Sequence, residues 1–387
     1  MSTILINILL LILVIGILVF VHELGHYIAA RIIGIKVFEF ALGFGPKVIS
    51  KRHKGTMYSI RLLPLGGYVK ILGDGDPDKK EKVTEKELKE KNLDTRPKLQ
   101  QIFVMLAGVT MNILLAITFY YIVLANSSWK LYVGIDLSKF TPIGAEVGRE
   151  RVEDMEYIEV KEDGTAFKAG IPAKGKILTI NGQDIQYNDD VSKIVKENKG
   201  QDIVMNICEN VEEQEECKEY TVTVSDEGMI GIVTVSNYIY TLSYEKYKLT
   251  AGFSHLANNL RLIGSVLSSM FKQAKSTGDY SDLSNSVSGP VGLYYVISSF
   301  KKEGVISLMS VVADLSISLA IMNVLPIPAL DGGRVLILTL EGIFRKDLNK
   351  NVEALIINLS FIFLLLVMVA VMVKDIVNID NLKNMFG

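Results

Sequence analysis

Cysteine is nearly absent from this chain of 387 residues, which has only Cys208 and Cys217. Two cysteines are too few for a disulfide framework, and they lack the paired spacing of a zinc finger. Histidine is as scarce, with four in all, so a motif that uses two of them is informative. Charge of one sign is also lacking. The 41 Lys and Arg nearly balance the 43 Asp and Glu, for a formal net charge of -2, which argues against nucleic acid as a partner. No internal repeat is evident. The first apolar run has neither the basic n-region nor the small-residue cleavage site of a signal peptide, so it is expected to be retained.

Long apolar runs are what the chain has instead. A mean hydropathy of +0.31 is high for a soluble protein, whereas 22% charged residues is too many for a chain lying wholly in a membrane. A mixed membrane and aqueous architecture follows. Four runs approach the roughly 20 residues that a span needs: Thr3 to about Ile33, Leu99–Ala125, Val305–Leu325 and Ala354–Val373. Lys and Arg crowd Gly34–Lys98 and recur after the third span at Arg334, Arg345, Lys346 and Lys350. The positive-inside rule puts both segments in the cytoplasm. The stretch from Asn126 to about Lys302 and both termini are then expected outside.

Between the runs the pattern changes. Val37–Ala41, Pro46–Ile49, Thr56–Ile60 and Gly67–Ile71 alternate with period two, so four short strands separated by glycine and proline turns are expected. They form either a sheet offering an edge to an extended peptide or a simple hairpin covering the end of the first helix. Asp74–Thr95 is charged and reads as a solvated helix or linker. From Tyr132 to Val224 a soluble domain is expected. Gly164–Ile171 followed by Gly175–Gly182 resembles the PDZ pattern, although Lys176 stands where an acidic residue is usual. Asn181-Gly182 signals a hairpin. A helix is expected over Asp190–Lys199, with strands over Ile203–Cys208 and Cys217–Val224. Glu150–Asp163 reads as an acidic insertion. Cys208 and Cys217 flank the loop of the last hairpin, so a disulfide across it and two free thiols are both open. Leu249, Phe253, Leu256, Leu260, Ile263, Leu267 and Met270 mark an amphipathic helix lying along the outer membrane surface, and Ser276–Ser288 a polar loop. His53 and His255 read as surface residues.

The expected architecture is therefore an α-helical membrane protein with about four transmembrane helices, a membrane-associated β-sheet and an inserted extracytoplasmic PDZ-like α+β domain. Its parts are a first transmembrane helix (1–33), a cytoplasmic β-rich and charged segment (34–98), a second span (99–125), the PDZ-like domain (126–235), an amphipathic juxtamembrane helix and loop (236–304), a third span with the segment after it (305–353), and a fourth span with a tail (354–387).

His22-Glu23-Leu24-Gly25-His26 closes the first run. On a helix, H-E-x-x-H sets two imidazoles one turn apart on the same face, within reach of one zinc ion, with Glu23 beside them as a candidate general base toward water. Ionisable groups at membrane depth usually mark function. A zinc protease needs a third protein ligand. In Asn323-Val324-Leu325-Pro326-Ile327-Pro328-Ala329-Leu330-Asp331-Gly332-Gly333 two prolines break the third span, and Asp331 stands at the break at the expected depth of His22 and His26. It is the best third ligand; its other reading is a helix N-cap. Asp314 is an acid inside the third span to which no role is assigned.

With these residues in view the chain resembles the site-2-type intramembrane metalloproteases, in particular the PDZ-containing branch of the regulator-of-sigma-E protease. The likeness covers nearly the whole length. It rests on His22–His26 and Asn323–Gly333, with support from Gly43-Phe44-Gly45-Pro46, Pro64–Lys70, Asn112 and Ser288-Gly289-Pro290-Val291-Gly292; Val109 stands where a proline is usual. The resemblance implies Zn2+ held by His22, His26 and Asp331, with Glu23 as general base. It implies that Asn323 holds the substrate backbone or stabilises the oxyanion, and that the strands around Tyr58–Lys70 clamp an extended substrate. Gly66, Gly67, Tyr68, Val69, Asn112 and Pro326 are the implied substrate-binding residues. The implied partners are the lipid bilayer and single-span membrane proteins, either anti-sigma factors or remnant signal peptides. The implied location is a bacterial inner membrane, with the site toward the cytoplasm. A catalytically silent receptor using the PDZ-like domain is the alternative class, and the intact Glu23 argues against it. A transporter with a broken helix would not explain the H-E-x-x-H.

Overall fold

The computed structural model describes residues 3–74, 83–211 and 214–386. Of the charged stretch Asp74–Thr95, residues 75–82 lie outside the described residues. The chain divides into two compact units, Met1–Asn126 with Thr250–Gly387, and Ser127–Leu249.

The first unit opens with α1 (Thr3–Ile32), followed by β1 (Val37–His53), β2 (Thr56–Ile71), α2 (Glu85–Glu90) and α3 (Lys98–Asn126). Helix α2 starts with a capping box between Thr84 and Glu87. In the second unit the chain forms β3 (Lys130–Val133), β4 (Glu146–Arg151), β5 (Glu156–Val160), α4 (Thr165–Lys168), β6 (Gly175–Ile180), β7 (Gln183–Asp184), α5 (Asn188–Glu197), β8 (Asp202–Val211), β9 (Gln214–Thr223), β10 (Ile232–Thr234) and β11 (Tyr238–Ser243). The first unit then resumes with α6 (Ala251–Thr277), α7 (Ser281–Asn285), α8 (Pro290–Glu303), α9 (Val305–Val324), α10 (Asp331–Phe344), α11 (Lys350–Val377) and α12 (Ile379–Phe386).

Helices α1, α3, α9 and α11 are long and apolar enough to cross a membrane. In hydrocarbon such a helix is stable because its backbone satisfies its own hydrogen bonds. The chain is a multi-pass membrane protein with four candidate spans. Small residues let the spans approach closely: Ala116 and Tyr120 of α3 pack on Ala313 and Ile317 of α9. Val14 and Leu18 of α1 pack on Ile297 of α8 and Val312 of α9. Helix α8 follows Gly289 with Pro290 in its first turn, a start signal inside what reads from the sequence as loop. A short helix, α7, likewise interrupts the expected polar loop. Helix α11 differs from the other spans: its only buried residues are Glu353 and Asp375, near its two ends.

Asp314 gains partners that its sequence position does not reveal. Tyr120 Oη donates to Asp314 Oδ1 at 2.7 Å, and Asn259 Nδ2 of α6 donates to the same oxygen at 2.8 Å. His255 corrects the surface expectation. Its ring stands edge-on to Tyr120, centroids 4.5 Å apart, and burial holds its pKa down to about 4. Helix α6 therefore packs its polar face on α3 and α9.

Two long strands replace the four short ones expected, although the four segments survive as stretches of one folded hairpin. Residues 47–53 pair with 56–61, and 39–42 lie between 57–60 and 67–70. Residues 67–70 pair with 39–42 and stand at the end of the strand order in this hairpin. Beneath it Ala29, Ala30, Ile35, Val37, Ile71, Leu93, Val104, Met105 and Leu338 form one core.

The second unit holds two antiparallel sheets. One runs β10-β5-β6-β8-β9 with β7 beside β6, and the other is β3-β11-β4. Asn181 and Gly182 both have positive φ, 51° and 77°, the signature of a primed hairpin turn. Glu150–Asp163, expected as an acidic insertion, supplies the end of β4 and all of β5, whose Tyr157 is a core residue. Cys208 and Cys217 stand opposite each other in register and form a disulfide.

Candidate active site

One cavity in the first unit, about 170 Å³, is lined by His22, Glu23, His26, Tyr68, Val69, Ile71, Asp74, Met105 and Asp331. A larger cavity lies in the second unit, but the smaller one holds the ionisable cluster and so the chemistry. His22 and His26, one turn apart on α1, are both buried. Their Nε2 atoms are 3.2 Å apart. Asp331 Oδ2 lies 3.2 Å from Nε2 of His22 and 3.3 Å from that of His26. Asp331 is the first residue of α10, whose N-cap is Leu330, so the N-cap reading of Asp331 does not hold.

The residues present fit zinc. Three electron-pair donors face one another, and Asp331 Oδ2 is buried with no hydrogen bond. A cation at the centre of the three would be held by all of them. A tetrahedral site with metal–ligand bonds of about 2.0–2.1 Å has edges of about 3.3 Å, which matches all three separations. The far ring nitrogens support the same reading. His26 Nδ1 donates to the Val104 carbonyl at 2.9 Å, which leaves Nε2 as the lone pair. His22 Nδ1 lies 3.2 Å from the Asn112 carboxamide nitrogen. A half-turn of that amide, which exchanges its nitrogen and oxygen, would let Nδ1–H donate to Asn112 Oδ1, a buried atom with no partner.

Two backbone features bring the three ligands together. Helix α3 passes directly over the imidazoles at Gly108. A Cβ there would sit 2.5 Å from His26 Nε2 and 2.9 Å from His22 Nε2. Sequence reasoning missed Gly108; its one signal is a place one helical turn before Asn112. At the break between α9 and α10, a Cβ on Gly332 would lie 2.1 Å from the Val324 carbonyl oxygen, and one on Gly333 2.1 Å from that of Ile327. The chain doubles back tightly there, and Asp331 returns to α1. Three residues on, Arg334 donates to Glu353 Oε1 of α11 at 2.7 Å and to Asp74 Oδ1 at 3.0 Å.

The other expected site residues fall into three places. Tyr68 and Val69 line the cavity. Tyr68 stacks on Phe44, centroids 6.3 Å apart, with the Arg61 guanidinium 5.2 Å from its ring. Val69 and Glu23 line the cavity together. Gly66 and Gly67 lie just before them, Gly67 so close to α1 that a Cβ would be 2.9 Å from Val19 Cγ1. Asn112 is fully buried behind His22 rather than open to the cavity. Asn323 and Pro326 do not line the cavity; the Asn323 amide donates to Leu319 O of its own helix at 3.0 Å.

Residues 10–367 match the model of peptidase family M50. The chain belongs to this family. It is similar over nearly its whole length to proteins described as "Putative zinc metalloprotease". The one from Staphylococcus aureus strain N315 is 30% identical over 451 residues, covering 96% of this chain and 98% of that protein. The one from Clostridium acetobutylicum is 30% identical over 374 residues, covering 96% and 97%. The one from Fusobacterium nucleatum is 30% identical over 372 residues, covering 95% and 97%. This M50 chain is therefore a metallopeptidase, its cofactor is zinc, and the His22, His26 and Asp331 group is a fit for that ion.

Proposed function

We propose that this M50 metallopeptidase cuts peptide bonds within the membrane, in the transmembrane segments of single-span proteins such as anti-sigma factors or remnant signal peptides. The observation that carries this reading is the convergence of His22, His26 and Asp331 at the end of an apolar 30-residue helix. A hydrolytic site there meets substrates that share the bilayer. The basic segment between the first two spans supports a cytoplasmic position for the site in a bacterial inner membrane.

His22, His26 and Asp331 would hold the zinc. When bound, zinc acidifies water and polarises a peptide carbonyl. Glu23 is the general base: its carboxylate, which lines the cavity beside Val69, takes a proton from water and returns it to the leaving amine. A transmembrane helix hides its scissile bond among its own hydrogen bonds, so the substrate unwinds first. The edge at Gly66, Gly67, Tyr68 and Val69 then receives the freed backbone groups as a strand. Asn323 is assigned to the substrate backbone or the oxyanion, which requires its amide to leave Leu319 O. Asn112 acts through His22, and Pro326 shapes the break before Asp331.

The second unit is read as an extracytoplasmic PDZ-like domain belonging to the regulator-of-sigma-E-protease branch. In support, β10 stands at a sheet edge beside a cavity of about 450 Å³ lined in part by Val191 and Val195 of α5 and by Met229–Thr234. That is a suitable seat for an extended peptide end.

The test uses detergent-purified full chain and a single-span substrate. Glu23→Gln is expected to retain its zinc and to cut more slowly by about 10²–10⁴-fold, the range for loss of a general base. Normal cleavage by that variant would remove Glu23 from the mechanism.

A further inference from the structure

We propose that a concavity at the end of α1 binds the phosphate-bearing headgroup of an anionic phospholipid. The concavity encloses about 370 Å³ and is lined by Arg31, Lys36, Lys54 and Lys91, with Glu87 as the lining carboxylate. Each cation comes from a different part of the fold. Arg31 is in the last turn of α1, Lys36 in the connection to β1, Lys54 in the β1–β2 turn, and Lys91 is the C-cap of α2. Four elements converging on one hollow is a stronger observation than a basic run along a chain.

Backbone bonds hold the wall in place. Ile35 N donates to Ala30 O at 2.9 Å, Lys36 N to Lys91 O at 3.0 Å, and Leu72 N to Lys36 O at 3.0 Å. Thr56 Oγ1 donates to Val37 O at 2.9 Å and so ties the hairpin turn to the same wall. That turn keeps Lys54 at a positive φ of 46°. Glu87 meets Lys36 Nζ at 2.8 Å and Lys91 Nζ at 3.9 Å. One carboxylate thus faces four cations, and their mutual repulsion is relieved by a bound anion.

The position of the hollow selects the anion. Helix α1 has 30 residues, about 45 Å at 1.5 Å per residue, longer than the roughly 30 Å hydrocarbon core. Residues 3–21 of α1 have no charged side chain and suffice to cross that core, so the final turn, with Arg31, is placed at headgroup level. Flanking Arg31 on α1, Ile28 and Ile32 are 40% and 70% exposed, an apolar strip against which an acyl chain can lie. Free phosphate would use the cations and leave this strip bare. A phospholipid uses both.

The test uses the zinc-loaded full chain in micelles containing phosphatidylglycerol and phosphatidylcholine, with bound lipid counted by native mass spectrometry. The wild type is expected to prefer phosphatidylglycerol and to keep it in millimolar inorganic phosphate. Arg31→Gln with Lys54→Gln should lower the preference by about 5- to 25-fold, at about fivefold per cation near a charged surface. Lys51→Gln with Arg52→Gln, on the same hairpin but outside the hollow, should leave it nearly unchanged. Equal losses in the two double variants would mean diffuse surface charge and overturn the proposal. So would a wild type without preference, or displacement of the lipid by phosphate. If the first double variant fails to load zinc, Lys54→Gln alone decides: a loss of about fivefold supports the site, and no loss overturns it.

Discussion

Gly108 lies against both imidazoles of the cluster, and α3 can approach them this closely because no side chain stands there. Gly108→Val is expected to force α3 away from His22 and His26 and to weaken zinc retention by about 10–100-fold, the scale seen when groups that orient metal ligands are lost. Dialysis against a chelator followed by metal analysis measures this, and retention equal to wild type would show that the close approach is not needed. The histidines themselves were legible in the sequence, since the four-residue spacing on a helix decides their common face. Asp331 was legible because two prolines mark the break. Gly108 was not, because a glycine inside a span has no meaning until the helix opposite it is known. Asn112 was visible as a polar residue in a span, but only the fold shows that it lies beside His22 Nδ1.

Among the elements, α11 is held unlike the other spans. Its buried groups are two carboxylates, and the apolar residues between them face outward. At one end Glu353 meets Arg334, three residues after Asp331. At the other, Asp375 Oδ2 accepts the backbone N–H of Gly289 and of Gly292, each at 2.8 Å, at the start of α8. Asp375→Leu leaves those two donors unpaired in a buried place, at an expected cost of about 2–4 kcal/mol. Thermal unfolding in detergent should show a lower midpoint, and an unchanged midpoint would mean that α11 is held by something else. The motif Ser288–Gly292 was visible in the sequence, but its pairing with Asp375, 83 or more positions away, becomes visible only in the fold. The long spans were legible because length and apolarity alone define them. The strand segments were legible by their alternation. Their order across the sheet was not, since alternation carries no information on which segment lies beside which.

At the scale of the molecule, composition was enough to separate membrane from aqueous parts, and the structure divides the chain into a spanning unit and a β-rich unit. The disulfide in the second unit was undecidable from two cysteines and became clear only from the register of β8 and β9. His22 and His26, with Asp331 more than 300 positions further along the chain, come together as a group that fits one zinc ion. X-ray absorption at the zinc edge of the purified Glu23→Gln protein tests this directly. The account predicts two imidazoles and one carboxylate among the ligands, no sulfur, and a changed spectrum or lost zinc in an added Asp331→Ala. A zinc site with fewer than two imidazoles, or one indifferent to Asp331, would contradict it.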